Sequence, residues 1–324
     1  PRLPDIAPAD WERRAGYWKQ VLEELDAIAV GSLPPEDRIN AEVFRAMVEA
    51  DYNNARWRTY EAPFNSDSFF WAHVVPWAPY RTEDEWRRFI DRLRDVPRHF
   101  AEQRANMDAG LARGWSVPRA TLEGRDRTIE PYTRTGAGNP ALDVFDAIPV
   151  SLPGPVRRAL REEGRAVVLG QVVPAYRGLL DYFRDVYLPR TRTSVSVRDL
   201  PGGEAFYRSQ IREYVTLDMT PEQIHQLGLS EVERISAEMR EVMARAGFRG
   251  SFAQFLQFLR TDPQFYATTP RELLAAASYH AKRIDGELNH VLGTLPRYRF
   301  TIRPVPDDIA PNYTSGRGGE KFTR

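Results

Sequence analysis

Apolar residues recur at spacings of three, four or seven along most of this chain, and that period places them on one face of a helix. From Pro8 to about Ile28 the stripe is Trp11, Trp18, Leu22, Leu25 and Ile28. After the break Gly31-Ser32-Leu33-Pro34-Pro35, Ile39, Val43 and Met47, with Phe44 and Val48, make a second stripe, and the two predict an antiparallel helical pair. Trp86, Phe89, Ile90 and Leu93 follow a capping box at Thr82-Glu83-Asp84-Glu85, and Pro97 should kink or interrupt that helix before it resumes and stops at Gly114. Thr220-Pro221-Glu222-Gln223 opens a helix with Ile224, Leu227, Val232, Ile235, Met239 and Val242, closed by Gly247. Thr269-Pro270-Arg271-Glu272 opens another, whose expected buried stripe is Leu273, Ala277, Ile284 and Leu288.

Between these, residues 115 to 153 are rich in Gly, Pro, Thr and Asp and read as a surface connection with one short helix from Pro140. Helices should return from Pro155 to about Leu188, interrupted near Gly164 or Pro174. The period changes only at Tyr298-Arg299-Phe300-Thr301-Ile302-Arg303, which alternates as a strand does. No repeat of fixed length appears. The expected fold is mainly α, a multi-helix array with a short strand region near the C-terminus.

Composition removes several classes of function. Hydrophobic residues are 42% and charged residues 28%, enough apolar surface for a folded core. Basic and acidic residues number 45 each and are interleaved, as in Glu83-Asp84-Glu85-Trp86-Arg87-Arg88, which argues against a nucleic-acid or anionic-membrane surface. The absence of cysteine excludes disulfides, thiolate metal sites and cysteine nucleophiles. The longest nearly apolar stretch, Ala166 to Tyr176, is broken by Gln171 and Pro174 and falls far below the roughly 20 residues of a membrane span.

Motifs for chemistry are sparse. His73, His99, His225, His280 and His290 include no pair at the i, i+4 spacing of a zinc helix, none is followed by glutamate, and each reads as a packed or capping residue. There is no Gly-x-Ser-x-Gly elbow. Ser315 to Lys321 imitates a phosphate loop but carries Glu320 where the loop needs glycine. Glu162-Glu163 and Asp307-Asp308 read as solvated surface. The aromatic run Phe64, Phe69, Phe70, Trp71, Trp77 and Tyr80 reads as a loop pinned to a helical body by its rings, in preference to a cleft wall.

Asp199-Leu200-Pro201-Gly202-Gly203, Tyr207, and the run from Thr216-Leu217-Asp218-Met219 through Thr220-Pro221-Glu222-Gln223-Ile224-His225-Gln226-Leu227-Gly228-Leu229 resemble the bacterial family called domain of unknown function 885. Glu231 to Ile235, Met239, Arg92 to Pro97 and Pro174-Ala175-Tyr176 look similar to it too. The resemblance implies a large helical protein of the zinc-peptidase type, often exported, with a His-Glu-x-x-Pro-Gly-His motif on a later helix. That motif does not occur here, so the chain resembles the N-terminal half of such an enzyme: residues 1–303 a helical region, 304–324 the start of a catalytic region not present in this chain. The implied cofactor is zinc, held in the full-length relative and not by this chain. The implied partners are a peptide substrate and the C-terminal catalytic half, which supplies the metal and the glutamate base. The implied location is bacterial, periplasmic or otherwise exported, with the cytoplasm left open.

Substrate contacts are then expected at Tyr313, Ser315, Gly316, Arg317, Gly318 and Gly319, with Arg317 pairing a peptide carboxylate in bidentate fashion. The competing reading of these residues is a frayed chain end. Two alternatives for the whole chain stay open: a non-catalytic helical interaction module, and a complete enzyme with an unrecognised carboxylate site. A missing half predicts an exposed apolar surface; a complete module predicts closed packing.

Overall fold

A computed structural model describes residues 2–64, 69–72, 74–75, 80–295, 297 and 300–304, and the chain divides into two compact units, Pro1–Pro221 and Glu222–Arg324. The first unit opens with the expected helical pair, α1 (Pro8–Asp26) and α2 (Pro35–Trp57), packed on each other and tied by Arg45 to Asp26 at 2.6 Å. Their stripes are only partly used: Leu25, Val48 and Ala55 are buried, whereas Ile39, Val43, Phe44 and Met47 are exposed.

The core begins at α3 (Glu83–Arg94). The Thr82 hydroxyl accepts from the Glu85 N–H while the Glu85 carboxylate accepts from the Thr82 N–H at 2.9 Å, so both orphan donors are satisfied. Trp86, Phe89, Ile90 and Leu93 are each 0% exposed. Pro97 does interrupt the run: α3 stops at Arg94 and α4 (Val96–Ala112) starts afresh with the proline in its first turn, where its missing N–H leaves no bond unmade. Gly110 lets α4 approach the chain after α2, since a Cβ there would lie 2.6 Å from the Glu61 carbonyl oxygen.

Residues 115 to 153 are not a surface connection. Leu122, Ile129, Tyr132, Ala141, Phe145 and Ile148 belong to the core, beside the short helix α5 (Pro140–Asp143). A polar, Gly- and Pro-rich segment can be buried when its backbone is satisfied locally. Here it folds into successive 3₁₀ turns, and the fully buried Asn139 amide donates to the carbonyls of Tyr132 and Arg134 while its oxygen caps Ala141.

The next run is continuous where a break was expected. It passes from α6 (Gly154–Val167) through a π turn (Val168–Val172) to α7 (Val173–Asp181), a second π turn (Tyr182–Tyr187) and α8 (Leu188–Arg190). Pro174 and Pro189 each sit two residues beyond a π turn, whose wider winding absorbs the bond and the space a proline disturbs. Gly164 causes no break; it makes room for the Phe145 ring, which a Cβ would meet at 2.1 Å.

The aromatic loop is pinned as its composition suggests. Phe64, Phe69 and Trp71 are buried, the last two stacked at 4.7 Å, with Trp71 Nε1 donating to Thr128 at 3.0 Å and the Tyr176 hydroxyl donating to the Trp71 carbonyl at 2.5 Å. His73 and Trp77 lie outside the described residues. The unit ends with α9 (Gly203–Val215), joined to α2 by Asn54 and Glu213 at 3.3 Å.

The second unit holds α10 (Pro221–Arg245), α11 (Phe252–Thr261) and α12 (Pro270–Glu287); α10 and α12 start where Thr220-Pro221 and Thr269-Pro270 predict, whereas α11, capped by Ser251, has no counterpart in the sequence reading. Thr269 accepts from the Glu272 N–H, and Gly247 takes the left-handed φ of 68° after α10. The expected strand does not form: Phe300 to Arg303 pair with no strand among the described residues, and Tyr298 and Arg299 lie outside them. An alternating segment becomes a strand only where a neighbour completes its ladder. The fold is mainly α.

Candidate functional site

The substrate contacts expected from the resemblance, Tyr313, Ser315, Gly316, Arg317, Gly318 and Gly319, lie outside the described residues, as do Asp307-Asp308 and all of 304–324 except Pro304.

α10 and α12 carry apolar stripes at helical spacing, yet neither has a buried residue. Val232 on α10 is 64% exposed, and Leu273 and Ile284 on α12 are each 63% exposed. The stripe expected to be buried on α12 is thus corrected: amphipathicity predicts a face that wants cover, and the cover is not supplied by the described residues. Beyond α12 the exposure continues through Val291, Leu292, Leu295 and Phe300. Buried apolar packing in this unit centres on Phe255, with Phe248 and Phe258 around it at 5.1 and 6.5 Å.

A shallow depression of about 550 Å³ lies along the stripe of α12, lined by His280, Arg283, Ile284, Glu287, Leu288 and Val291. Its floor is apolar and its rim carries both signs, with His290 Nδ1 2.8 Å from Glu287 and the Arg283 guanidinium 5.7 Å from the Tyr279 ring centre. Such a surface suits association rather than proton transfer.

The perturbed carboxylates support that distinction. Hydrogen bonding from Arg234 holds Glu231 below the usual carboxylate range, and the same guanidinium reaches Glu238 at 2.6 Å. Glu272 is lowered by the Thr268 hydroxyl and by backbone N–H groups at the start of α12. Both are committed to holding helices in the ionised state, opposite to the raised value a general acid needs. Glu163 is occupied by Arg94 at 2.5 Å on the surface.

The described histidines do not converge. His99 on α4 lies under the N-terminal segment, its Nδ1 3.3 Å from the Pro4 carbonyl oxygen, and burial pushes its pKa down. The same segment is held by Asp95, accepting from the Leu3 N–H at 2.8 Å, and by Asn106, donating to the Ile6 carbonyl at 2.8 Å. His225 and His280 are exposed on α10 and α12. Among the described residues no three His, Cys, Asp or Glu side chains are grouped to hold a metal ion.

The sequence reading did not single out the uncovered stripes as a site. Their signal was present as amphipathicity, but periodicity does not say whether a partner face lies inside the unit.

Fold and surface together define a class: an all-helical protein with one well-packed unit and one whose helices present open apolar faces. Residues 1–320 match the family described as "Bacterial protein of unknown function (DUF885)", and the chain belongs to it. The match takes in nearly the whole chain. A crystal structure described as that of "the putative lipoprotein from Colwellia psychrerythraea" is similar in fold, with a TM-score of 0.81 and 20% identity over 96% of this chain. This chain spans 57% of that longer one. No curated protein matches it.

Proposed function

We propose that the chain is the helical N-terminal portion of a metallopeptidase-like hydrolase acting on peptides, forming one wall of a substrate cleft. One observation carries the reading: α10 and α12 are built with apolar stripes and bury none of them, as expected of helices that work against another body of protein. The peptide substrate and the zinc follow from the family resemblance. The zinc and its glutamate base belong in this reading to the remainder of a longer protein, and this chain spans 57% of its structural neighbour. Tyr313, Arg317 and the glycines around Arg317 are the residues proposed to meet substrate at the junction.

Export is part of the same proposal, supported by the lipoprotein description of that neighbour. Among the described residues no helix is long and apolar enough to cross a membrane. The same exposed faces also favour a second reading, a helical interaction module without chemistry.

The test is hydrolysis of peptide libraries, with added zinc and with a chelator, by this chain and by a version extended through its native downstream sequence. The proposal expects hydrolysis only in the extended protein and its loss on chelation. Hydrolysis by the short chain that survives chelation would overturn it. An extended protein inert toward peptides would favour the interaction module.

A further inference from the structure

We infer that one face of α4 is a binding site for an extended peptide, read through its main chain, and that Leu3 to Ile6 occupy it as a tethered competitor. The inference goes beyond the peptidase reading and does not rest on it, since the site lies wholly in the first unit.

The contacts form a ladder. Asp95, Arg98, Glu102 and Asn106 follow one another at steps of three and four, which aligns them along one side of α4 and its N-terminal cap. Asp95 accepts from the Leu3 N–H at 2.8 Å, and Arg98 donates to the Leu3 carbonyl at 2.9 Å. Glu102 accepts from the Ile6 N–H at 3.1 Å and Asn106 donates to the Ile6 carbonyl at 2.8 Å, with His99 Nδ1 3.3 Å from the Pro4 carbonyl oxygen between them. From Asp95 to Asn106 the helix rises about 16 Å and four extended residues reach about 13 Å, so the two run in step.

What this ladder reads is common to every peptide. Each of its bonds ends on a main-chain group, the component that gives affinity without sequence preference when a protein binds an extended chain. Side chains enter at fewer places: Ile6 is buried and Leu3 packs partly against the core, while Arg2, Pro4 and Asp5 are exposed. The Asp5 carboxylate adds an ion pair with Arg98 at 2.9 Å. The ligand that fits is an extended peptide with aliphatic side chains three residues apart and an acidic residue before the second.

The resident segment does not exhaust the site. Asn106 is 1% exposed, and its Oδ1 finds no hydrogen-bond partner among the described residues, which leaves a buried acceptor for an N–H that Leu3 to Ile6 do not supply. Residues 2–6 belong to no helix, so the segment can open locally without unfolding the helix it lies on. Its tether gives it an effective concentration of about millimolar, and an incoming peptide binds tightly only where that hold is weakened.

The full chain carrying Leu3→Gly and Ile6→Gly weakens the competitor and leaves the ladder on α4 untouched. A fluorescein-labelled peptide with the sequence of Arg2 to Ala7 is titrated into this variant and into the parent chain and read by anisotropy, with circular dichroism verifying equal helix content. The variant should bind it at least about tenfold more tightly than the parent does. Changing the peptide's arginine and proline to alanine should alter its affinity by less than about threefold. Methylating its leucine and isoleucine amide nitrogens should weaken binding at least about tenfold, because two donors of the ladder are lost. That arm alters only the ligand, and on the parent chain at millimolar peptide the same difference is expected by calorimetry, whatever the variant's stability.

Absence of saturable binding to a folded variant would overturn the inference, and so would binding that amide methylation leaves unchanged. Binding lost when only the arginine and proline are changed would overturn it in favour of a strap made for its own segment alone.

Discussion

The residues from Phe64 to Tyr187 and the helices from Pro221 to Glu287 are written in the same helical code and end up in opposite environments. In the first region, α3 buries Trp86, Phe89, Ile90 and Leu93 completely, and the rings of Phe69, Trp71, Tyr132 and Tyr176 stack or meet edge-on around them. In the second, α10 and α12 bury no residue and α11 buries Phe255 alone. Amphipathicity is a demand for a partner; only the number of facing elements decides whether it is met. Where two connections and a folded-back loop converge on α3, α4 and α7, the demand is met within the unit, and in α10 and α12 it is left over.

The contrast breaks most visibly at the large side chains. Trp71→Ala should cost about 3–5 kcal/mol in urea unfolding, as full removal of a buried ring does. Ile284→Ala in this chain should change stability by no more than about 0.5 kcal/mol. Equal losses would mean that α12 is covered after all.

Glycines sharpen the same comparison with a change of sign. Gly164→Ala would drive a Cβ into the Phe145 ring and should destabilise by about 1–3 kcal/mol. Gly228→Ala on α10, where nothing lies within 4 Å, should stabilise by about 0.5–1 kcal/mol because alanine is the better helix former. Thermal melts of the two variants are the measurement, and a loss at Gly228 would reveal a close neighbour there.

Caps should ignore the difference between the regions. Thr82→Ala at α3 and Ser251→Ala at α11 each remove a side chain that accepts a helix N–H, and each should cost about 1 kcal/mol. A large inequality in denaturant midpoints would show that burial, rather than the cap bond, sets the cost.

The smallest effect belongs to pH. Burial lowers the pKa of His99, so at pH values below about 6.5 the unfolded chain binds a proton that the folded chain resists. Its contribution to stability is full above that value and declines as pH falls toward the folded pKa. Asp95, lowered mainly by its hydrogen bond from Arg98, contributes stability above about pH 4 that is lost as pH falls through its folded value. His99→Gln should flatten the stability profile between about pH 5 and 7 while leaving the acid limb.

Much of the fold was legible beforehand. Thr82, Pro97, Gly247 and Thr269 mark helix ends because capping, proline and left-handed backbone are local effects that need no distant partner. The buried connection from 115 to 153 was not legible, because Asn139 makes it buriable only through bonds to the Tyr132 and Arg134 carbonyls that a composition count does not contain. Nor was the continuity past Pro174, which depends on a π turn. Of the proposed substrate residues, Tyr313 to Gly319 rest on resemblance alone, while the open faces of α10 and α12 appeared only when exposure was known.

The sequence by itself determined that the chain is helical, where most helices start and stop, and that it has no thiol chemistry. These follow from backbone propensities and side-chain types within a few residues of one another. The tertiary structure decided which apolar stripes are core and which are surface. Burial is a property of what faces a side chain across space: Leu93 and Ile284 each belong to the apolar stripe of their own helix, and one is fully buried while the other is 63% exposed.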